Sequence, residues 1–264
     1  MKTLLNVAIR SAIEAGNEII KIYNTDFNVE MKEDDSPLTI ADKKANHIIN
    51  QHLSLTDIPI ISEENKQIDY EIRKNWNRCW IVDPLDGTKE FIKRNGEFTV
   101  NIALVENEIP ILGVIYVPLT KTIYFGLKEL GVSKKESWTF EAPSTEKIIE
   151  NAKIIRPVSP SGSIKIVGSR SHLNLETKEY VENLKIETRK KVELVSIGSS
   201  LKFCLVAEGK AHIYPRFAPT MEWDTAAGDA ICRVAGIGVI DQQTQKPMIY
   251  NKPNLLNNHF LVSV

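Results

Sequence analysis

The sequence predicts a layered, mixed α/β fold with two lobes. The first part of the chain places two helix-like segments before a run of consecutive apolar strands, and the second part alternates strands with helices. Hydrophobic residues make up 42% of the 264 residues, which is enough for a sizeable core. We therefore expect a single domain over 1–264, with one lobe over about 1–145 and the other over about 146–264.

In the first lobe, apolar residues recur at helical spacing from about residue 3 to 23. Arg10 and Glu14 interrupt the apolar run, which indicates an amphipathic helix of the mature fold and not a signal peptide. A second helix is expected over about 40–53. The strands that follow are IPIIS, CWIVD, FTVNIALVE, ILGVIYVP and KTIYFGL. Consecutive strands of this kind favour a meander covered by the two helices.

A polar segment from about 134 to 163, which contains Pro143, Pro157 and Pro160, is the expected boundary between the lobes. Beyond it the predicted elements are strand IKIVGS, a helix around 174–185, strand VELVSIG, a helix around 200–208, strand AHIYP, a helix around 225–235 ended by Gly236, and strands IGVID and HFLVSV. This alternation is typical of α/β layering.

Composition excludes several classes of protein. The 33 basic and 34 acidic residues give a formal net charge of −1, which argues against a nucleic-acid-binding protein. Cys79, Cys204 and Cys232 form no CxxC pair, so a disulfide framework or a zinc site is disfavoured. No apolar stretch is long enough to span a bilayer. We expect a cytoplasmic protein without stable membrane insertion. Peripheral association with the inner membrane, and the choice between monomer and homodimer, stay open.

The segment WIVDPLDGT carries two carboxylates, Asp83 and Asp86, at the end of an apolar strand. Asp-Pro and Asp-Gly are common turn dipeptides, so a plain turn is the alternative interpretation. Glu64, in the segment Ser62-Glu63-Glu64, also lies where a strand ends. The strand ends of an α/β sheet ordinarily face ligands, and this position favours a functional site.

Two further aspartates have a structural explanation as well as a functional one. Asp224, in EWDTAAGDA, precedes a predicted helix and could be its N-cap. Asp42 follows Thr39 by three residues, which resembles a capping box. A carboxylate at a helix start can equally present a metal ion beside the positive end of the helix dipole.

Glu64, Asp83, Asp86 and Asp224 together form an all-oxygen set, which suits hard divalent cations and chiefly Mg²⁺. The Leu85 carbonyl could supply another oxygen, and Thr88 a hydroxyl beside the metal ions. Gly87 would let an oxyanion approach the backbone amides. Two or three Mg²⁺ ions would neutralise the carboxylates and could stabilise the attacking and leaving oxygens of phosphoryl transfer. The chain has no P-loop, GxSxG or HExxH motif that would compete with this interpretation.

The motifs SEE, WIVDPLDGT and WDTAAGDAI, in this order, resemble the three signatures of the inositol monophosphatase-like, lithium-sensitive phosphatase superfamily. The resemblance covers nearly the whole chain and implies a layered α-β-α-β-α sandwich and Mg²⁺-dependent hydrolysis of phosphomonoesters. The continuation DGTKEF, with GSRSH and GSSLK further along, is similar to the 3′(2′),5′-bisphosphate nucleotidase branch. The implied substrate is 3′-phosphoadenosine 5′-phosphate, a by-product of sulfate assimilation, with its 5′-phosphosulfate relative as a possible second substrate.

The resemblance also implies roles for individual residues. Asp42 and Thr88 match the pair that activates the attacking water. The metal-binding positions would be Glu64, Asp83, Leu85 through its carbonyl, Asp86 and Asp224.

Substrate contacts are implied in the same way, and Asp224 is expected to touch the substrate as well as the metal. Backbone amides of Gly87 and Thr88 would hold the transferred phosphate. The positions that match nucleotide contacts are Ser169, His172, Ser199 and Lys202. We add Lys89 and Arg216, since a nucleotide with two phosphates needs cations beyond the metal ions.

Three alternatives stay open. A sister activity, inositol monophosphatase or inositol polyphosphate 1-phosphatase, would use the same metal site with a different pocket. A non-catalytic Mg²⁺- or nucleotide-binding regulator is disfavoured because all the acidic positions needed for hydrolysis are present. An RNA-associated accessory protein is disfavoured by the near-neutral charge.

Overall fold

The computed structural model describes residues 1–26, 29–31, 37–168 and 174–264. Within these residues the helices are α1 (Lys2–Tyr23), α2 (Ile40–Leu53), α3 (Tyr70–Arg73), α4 (Thr88–Ile92), α5 (Thr145–Asn151), α6 (Leu175–Thr188), α7 (Leu201–Ala207) and α8 (Glu222–Val234). The strands in the same residues are β1 (Val29–Met31), β2 (Pro37–Thr39), β3 (Ile60–Ser62), β4 (Arg78–Asp86), β5 (Thr99–Glu106), β6 (Ile109–Val117), β7 (Thr122–Leu127), β8 (Val132–Ser137), β9 (Lys153–Ile155), β10 (Ile164–Gly168), β11 (Val192–Ser196), β12 (Ile213–Arg216), β13 (Gly238–Asp241), β14 (Lys246–Pro247) and β15 (Phe260–Ser263).

Two large sheets and one small hairpin contain these strands. The first sheet follows the chain from β3 to β9, with β3 parallel to β4 and each later pair antiparallel. The second sheet has the order β11-β10-β12-β15-β13-β14, in which β10 is parallel to both of its neighbours. β1 and β2 pair with each other. The predicted meander in the first half is confirmed.

Side-chain alternation divides the apolar residues of the first sheet between two cores, because successive residues of a strand point to opposite faces. In β4, Trp80 and Val82 face a core shared with α1 and α2. Ile81 of the same strand faces a second core shared with α7, α8 and the second sheet. This two-sided burial explains why the strands of the first sheet read as continuous apolar runs.

These contacts give successive layers: α1 with α2, the first sheet, α7 with α8, and the second sheet, with α6 beside β11. The predicted layered, mixed α/β fold is confirmed. The first sheet extends beyond the expected lobe boundary near residue 145, because β9 still pairs with β8. Within the described residues, no helix is both long enough and apolar enough to cross a membrane.

Helix α8 lies unusually close to the first sheet because two facing glycines leave room for it. Gly113 of β6 is directly opposite Gly126 of β7. A Cβ atom at Gly113 would lie 2.3 Å from the carbonyl oxygen of Ala227, and one at Gly126 would lie 3.0 Å from the Cα of Ile231. The close approach brings the first turn of α8 toward the ends of β4 and β5.

Candidate active site

The DPLDG turn lies at the end of β4, where the pairing with β5 becomes irregular. Asp83 is opposite Asn101 and Asp86 is opposite Thr99, with a register shift between them. The Leu85 amide donates a hydrogen bond of 3.0 Å to Oδ1 of Asp83. The irregularity therefore places two carboxylates, three residues apart, on one rigid strand end.

Asp224 completes a cluster with these two residues. One carboxylate oxygen from each of Asp83, Asp86 and Asp224 lies within 4.8 Å of the other two. Asp224 is in the first turn of α8 and does not precede the helix as predicted, because the helix starts at Glu222. It still caps the helix, since its Oδ2 accepts a hydrogen bond of 2.7 Å from the Met221 amide. The predicted convergence of these three aspartates is thus present in the fold.

Burial and the repulsion between carboxylates dominate the electrostatics of the cluster. Burial raises the pKa of Asp83 well above its usual range, and the charges of Glu63, Asp86 and Asp224 raise it further. Burial, followed by the charges of Asp86 and Glu63, raises the pKa of Asp224 to about 8. Without a bound cation, buried carboxylates this close resist ionisation together.

Glu63, and not the predicted Glu64, acts on this cluster through its charge. The Glu63 amide donates to the Val82 carbonyl and continues the parallel register of β3 and β4, which pairs Ser62 with Val82. Glu63 is therefore opposite Asp83 and on the same face, and its charge acts on both Asp83 and Asp224. Glu64 points into a different recess, lined by Leu38, Lys43, Asn46, His47, Asn50 and Asn65. The structure thus does not bring Glu64 to the cluster, and we treat Glu63 as the candidate ligand in its place.

The residues of the cluster fit a divalent cation. The side chains offer carboxylate oxygens alone, which is the ligand chemistry of Mg²⁺ and not of softer metals. Burial and mutual repulsion raise the pKa of Asp83 and Asp224, so a bound cation would favour the ionised form of both carboxylates. Asp86 differs, because burial raises its pKa while Lys202 and the amides of Asn101 and Ser200 lower it.

Asp42 and Thr88, the predicted water-activating pair, are in contact across 46 residues of sequence. The Thr88 hydroxyl donates a hydrogen bond of 3.1 Å to Oδ1 of Asp42 and lies 3.3 Å from the Leu85 carbonyl oxygen. The other oxygen of Asp42 accepts from the amide and the hydroxyl of Thr39, at 2.8 and 2.7 Å. The capping box is therefore present, and it fixes the orientation of the oxygen that Thr88 contacts.

Burial raises the pKa of Asp42, and its hydrogen bonds with Thr39 and Thr88 oppose that change. Since those bonds are made to the ionised form, the carboxylate can serve as a hydrogen-bond acceptor that keeps the Thr88 hydroxyl turned toward it. The Thr88 oxygen then has lone pairs left to accept a hydrogen bond from another group.

A cavity next to the cluster contains the predicted cations. Lys89, Lys202 and Arg216 line it, together with Asp86, Gly87, Glu90, Gly198, Ser199, Ser200, Phe203, Tyr214, Thr220, Asp224 and Thr225. Lys202 is only 5% exposed, and its Nζ is 5.5 Å from the centre of the Tyr214 ring. Burial lowers the pKa of Lys202 to about 8, although the charge of Asp86 opposes this.

Arg216 has a buried donor for which the described residues provide no partner. Its Nη2 donates to the Pro219 carbonyl at 2.9 Å, whereas its buried Nε has no hydrogen-bond partner among the residues that the structure describes. An unsatisfied buried donor is costly unless a ligand satisfies it. Arg216 thus has the character of a ligand-binding residue.

Backbone geometry at Gly87 and Ser199 suits close approach to a ligand. Gly87 has φ +92°, and a Cβ atom there would be 3.0 Å from the Glu97 carbonyl oxygen. Ser199 has φ +49°, an uncommon conformation for a residue other than glycine, and lies on the cavity wall. Ser169 and His172, the other two predicted substrate contacts, lie outside the described residues.

Several residues of the site were missing from the prediction. Glu90 lines the cavity, and burial and the charge of Asp86 raise its pKa. Asn101 donates to Oδ2 of Asp86 at 3.2 Å, and the Ser200 amide donates to the same oxygen at 2.5 Å. One signal in the sequence could have identified Asn101: Thr99 and Asn101 are polar residues at alternate positions of an otherwise apolar strand.

Comparisons with known proteins identify the family of this chain. Residues 1–261 match the model of the inositol monophosphatase family. The chain is 44% identical to the 3′(2′),5′-bisphosphate nucleotidase CysQ of Escherichia coli K12 over 266 residues, which cover 99% of this chain and 100% of that protein.

Solved structures are similar as well. The crystal structure of CysQ from Bacteroides thetaiotaomicron is 49% identical with a TM-score of 0.87, and the match covers 98% of this chain and 96% of that one. The suhB protein of Bartonella henselae, at 24% identity, shares the fold with a TM-score of 0.77 over 99% of this chain and 93% of its own. The chain belongs to the inositol monophosphatase family, whose members are metal-dependent phosphatases.

Proposed function

We propose that this protein is a Mg²⁺-dependent phosphatase that hydrolyses the 3′-phosphate of 3′-phosphoadenosine 5′-phosphate to give AMP and phosphate. One observation carries the proposal. Asp86 and Asp224 belong both to the carboxylate cluster and to the wall of a cavity with three cationic side chains. A small substrate with two phosphates fits such a site, since one phosphate can meet the metal ions while the other meets the cations.

The relatives support the nucleotide as the substrate. CysQ proteins of Escherichia coli and Salmonella typhimurium, at 44% and 43% identity, are 3′(2′),5′-bisphosphate nucleotidases, and both match over their whole length. 3′-Phosphoadenosine 5′-phosphosulfate, which carries the same 3′-phosphate, is a second candidate substrate.

In the proposed mechanism, Glu63, Asp83, Asp86, Asp224 and the Leu85 carbonyl would hold two or three Mg²⁺ ions. Bound ions would supply positive charge that lowers the pKa of water and neutralises the phosphate that is attacked. Because the Thr88 hydroxyl donates its hydrogen bond to Asp42, the Thr88 oxygen is free to accept a hydrogen bond from the attacking water and orient it in line with the phosphorus. As the bond from the water oxygen to phosphorus forms, the bond from phosphorus to the ribose 3′-oxygen breaks. The proton of the water passes toward Thr88 and Asp42, and the departing 3′-oxygen takes up a proton from solvent and becomes the 3′-hydroxyl of AMP.

The remaining residues bind the substrate. Backbone amides at Gly87 and Thr88 hold the transferred phosphate, at a position where Gly87 lines the cavity. Lys202, Arg216 and Lys89 meet the second phosphate, and the unsatisfied Nε of Arg216 supports its role. Ser199, and also Ser169 and His172, remain predicted nucleotide contacts.

Phosphate release with four substrates, each with and without Mg²⁺, tests the proposal. The substrates are 3′-phosphoadenosine 5′-phosphate, its 5′-phosphosulfate relative, inositol 1-phosphate and fructose 1,6-bisphosphate. We expect Mg²⁺-dependent turnover that is fastest with one of the two adenosine nucleotides. A preference for inositol 1-phosphate would contradict the proposed substrate but not the Mg²⁺-dependent hydrolysis of a phosphomonoester. Inactivity on all four substrates would favour a non-catalytic regulator.

The variant Asp83→Asn is the control for the metal centre. It keeps the size of a buried side chain and removes one negative charge from the cluster. We expect turnover to be abolished, and turnover close to that of the wild type would contradict the metal assignment.

A further inference from the structure

We infer that Asn101, with Thr99 and Ser200, is a positioning residue that holds Asp86 in the orientation needed for cation binding. Through Ser200, the same contacts connect Asp86 to Ser199, a predicted nucleotide contact. These three residues are at most 2% exposed and form one hydrogen-bonded set around one oxygen of Asp86. The inference rests on the proposed function, because it concerns the same metal centre.

The side-chain amide of Asn101 can be assigned in only one consistent orientation. Asn101 lies with its Nδ2 3.2 Å from Oδ2 of Asp86 and its Oδ1 2.7 Å from the Ser200 hydroxyl. The reverse orientation of this amide would place two acceptors, an amide oxygen and a carboxylate oxygen, against each other. Asn101 therefore donates to Asp86 and accepts from Ser200.

Thr99 belongs to the same set. Its hydroxyl lies 2.8 Å from the Ser200 hydroxyl, 3.1 Å from Oδ1 of Asn101 and 3.5 Å from Oδ2 of Asp86. The two hydroxyls therefore supply donors to the Asn101 carbonyl oxygen, and the Asn101 amide donates to Asp86. Each buried polar atom in the set is satisfied, which makes the arrangement rigid.

The set determines which oxygen of Asp86 remains for a cation. The Ser200 amide also donates to Oδ2, at 2.5 Å, so the donors that the described residues supply meet at this atom. Oδ1 is then the oxygen that can face Asp83, Asp224 and a metal ion. Fixing the orientation of a ligand through its second oxygen is how outer residues commonly tune a metal site.

The set also joins two layers of the fold. Asp86, Thr99 and Asn101 belong to the first sheet, whereas Ser200 directly precedes α7 and follows Ser199 on the cavity wall. Thr99 and Asn101 are not among the residues that line the cavity. Their contribution to cation binding must therefore act through Asp86 and not through contact with the substrate.

The test measures cation binding in the absence of substrate. Mn²⁺ would be titrated into the metal-free protein and the free ion followed by electron paramagnetic resonance. We expect Asn101→Leu to weaken Mn²⁺ binding by about 10- to 100-fold, the range typical for loss of an outer residue at a metal site. The Thr99 hydroxyl is only 3.5 Å from Oδ2 of Asp86, and Ser200→Ala keeps the Ser200 amide, so each of Thr99→Val and Ser200→Ala should weaken Mn²⁺ binding by up to about tenfold.

Steady-state kinetics provide the second readout. Raising the Mg²⁺ concentration should restore kcat in these variants, and the KM for the nucleotide should stay within about twofold of the wild type in Asn101→Leu. A merely structural defect would instead lower the melting temperature of the metal-free protein and the active fraction, without a shift in the Mg²⁺ requirement. The matched control is Ser133→Ala, which removes another buried hydroxyl of the first sheet, one that donates to the Ile231 carbonyl at 2.7 Å. Its Mn²⁺ affinity should equal that of the wild type.

The outcomes separate the two proposals. If the wild type binds Mn²⁺ and Asn101→Leu binds it equally well, the positioning role is wrong and the proposed function is unaffected. If the wild type binds no Mn²⁺, the metal centre itself is wrong, and the positioning role falls with it. Should Asn101→Leu fail to fold, unchanged Mn²⁺ affinity in both Thr99→Val and Ser200→Ala would overturn the inference.

Discussion

Replacing Gly113 by alanine tests the close packing on which the position of Asp224 depends. The new methyl group would lie 2.3 Å from the Ala227 carbonyl oxygen and 2.8 Å from the Ala230 Cβ. Since comfortable contacts are about 3.5 Å, α8 must move by about 1 Å. Overpacking of this kind costs about 1–3 kcal/mol. Alanine recovers about 0.4–1 kcal/mol by restricting the unfolded chain, which leaves a net loss of roughly 1–2 kcal/mol.

For a chain of this size, that loss lowers the melting temperature by roughly 2–8 °C. The same movement shifts Asp224, one turn before Ala227, away from Asp83 and Asp86. A misplacement of about 1 Å can reduce turnover by about 100-fold. We therefore expect kcat, measured at a temperature where both proteins are folded, to fall much further than the folded fraction does.

Gly162→Ala is the matched control for this experiment. A Cβ atom at Gly162 meets nothing within 4 Å, and its φ is not in the left-handed region. Thermal unfolding with and without Mg²⁺, followed by phosphate release, should show this variant to be as stable and as active as the wild type. A Gly113→Ala protein with the melting temperature and kcat of the wild type would refute the close approach of α8.

Three further predictions concern the site and its surroundings. Thr88→Val should lower turnover by about 10²- to 10⁴-fold, which is the usual contribution of positioned proton transfer. Nucleotide binding, measured by calorimetry, should stay near that of the wild type. A loss of nucleotide binding would show that Thr88 holds the substrate instead. Glu63→Gln should raise the Mg²⁺ concentration needed for half-maximal activity more than Glu64→Gln does. The opposite order would favour Glu64 as the metal ligand. Burial, with the charges of Lys165 and Lys190, lowers the pKa of His212 below the usual histidine value of about 6.5. The folded state therefore binds its proton less readily than the unfolded state, so stability should fall as the pH drops from 6.5 through the lowered pKa. In His212→Gln the melting temperature should lose this part of its pH dependence, and an unchanged profile from pH 7 to pH 5 would contradict the assignment.

The longer elements were predictable because they carry repeated signals. Helix α2 was expected over about 40–53 and spans Ile40–Leu53, since a capping box begins it and apolar residues recur along one face. Helices α3, α4 and α5 have 4, 5 and 7 residues and were not predicted. Elements of one or two turns are too short to show a helical period, and their positions are determined by the strands on either side.

The members of the carboxylate cluster could be predicted in part. Asp83 and Asp86 are close in sequence, so a turn is enough to bring them together. Choosing between Glu63 and Glu64 requires the register of β3 against β4, because neighbouring residues of a strand point to opposite faces. The contact of Asn101 and Ser200 with Asp86 depends on how two layers pack, which no local pattern in the sequence records.

For Asp42, Asp86 and Asp224 a structural role and a functional role are compatible, because a carboxylate has two oxygens. Asp42 uses Oδ2 for the capping box and Oδ1 for Thr88, and Asp86 uses Oδ2 for Asn101 and Ser200. Asp224 likewise uses Oδ2 to cap α8. In each case the hydrogen bond to the protein orients the remaining carboxylate oxygen. For Asp42 and Asp224 that hydrogen bond is a helix cap, so the cap contributes to the site. An asparagine can also accept the hydrogen bond of a helix cap, but it carries no charge. Asp224→Asn should therefore keep the start of α8 intact and lose cation binding, and this separates the two roles of one side chain.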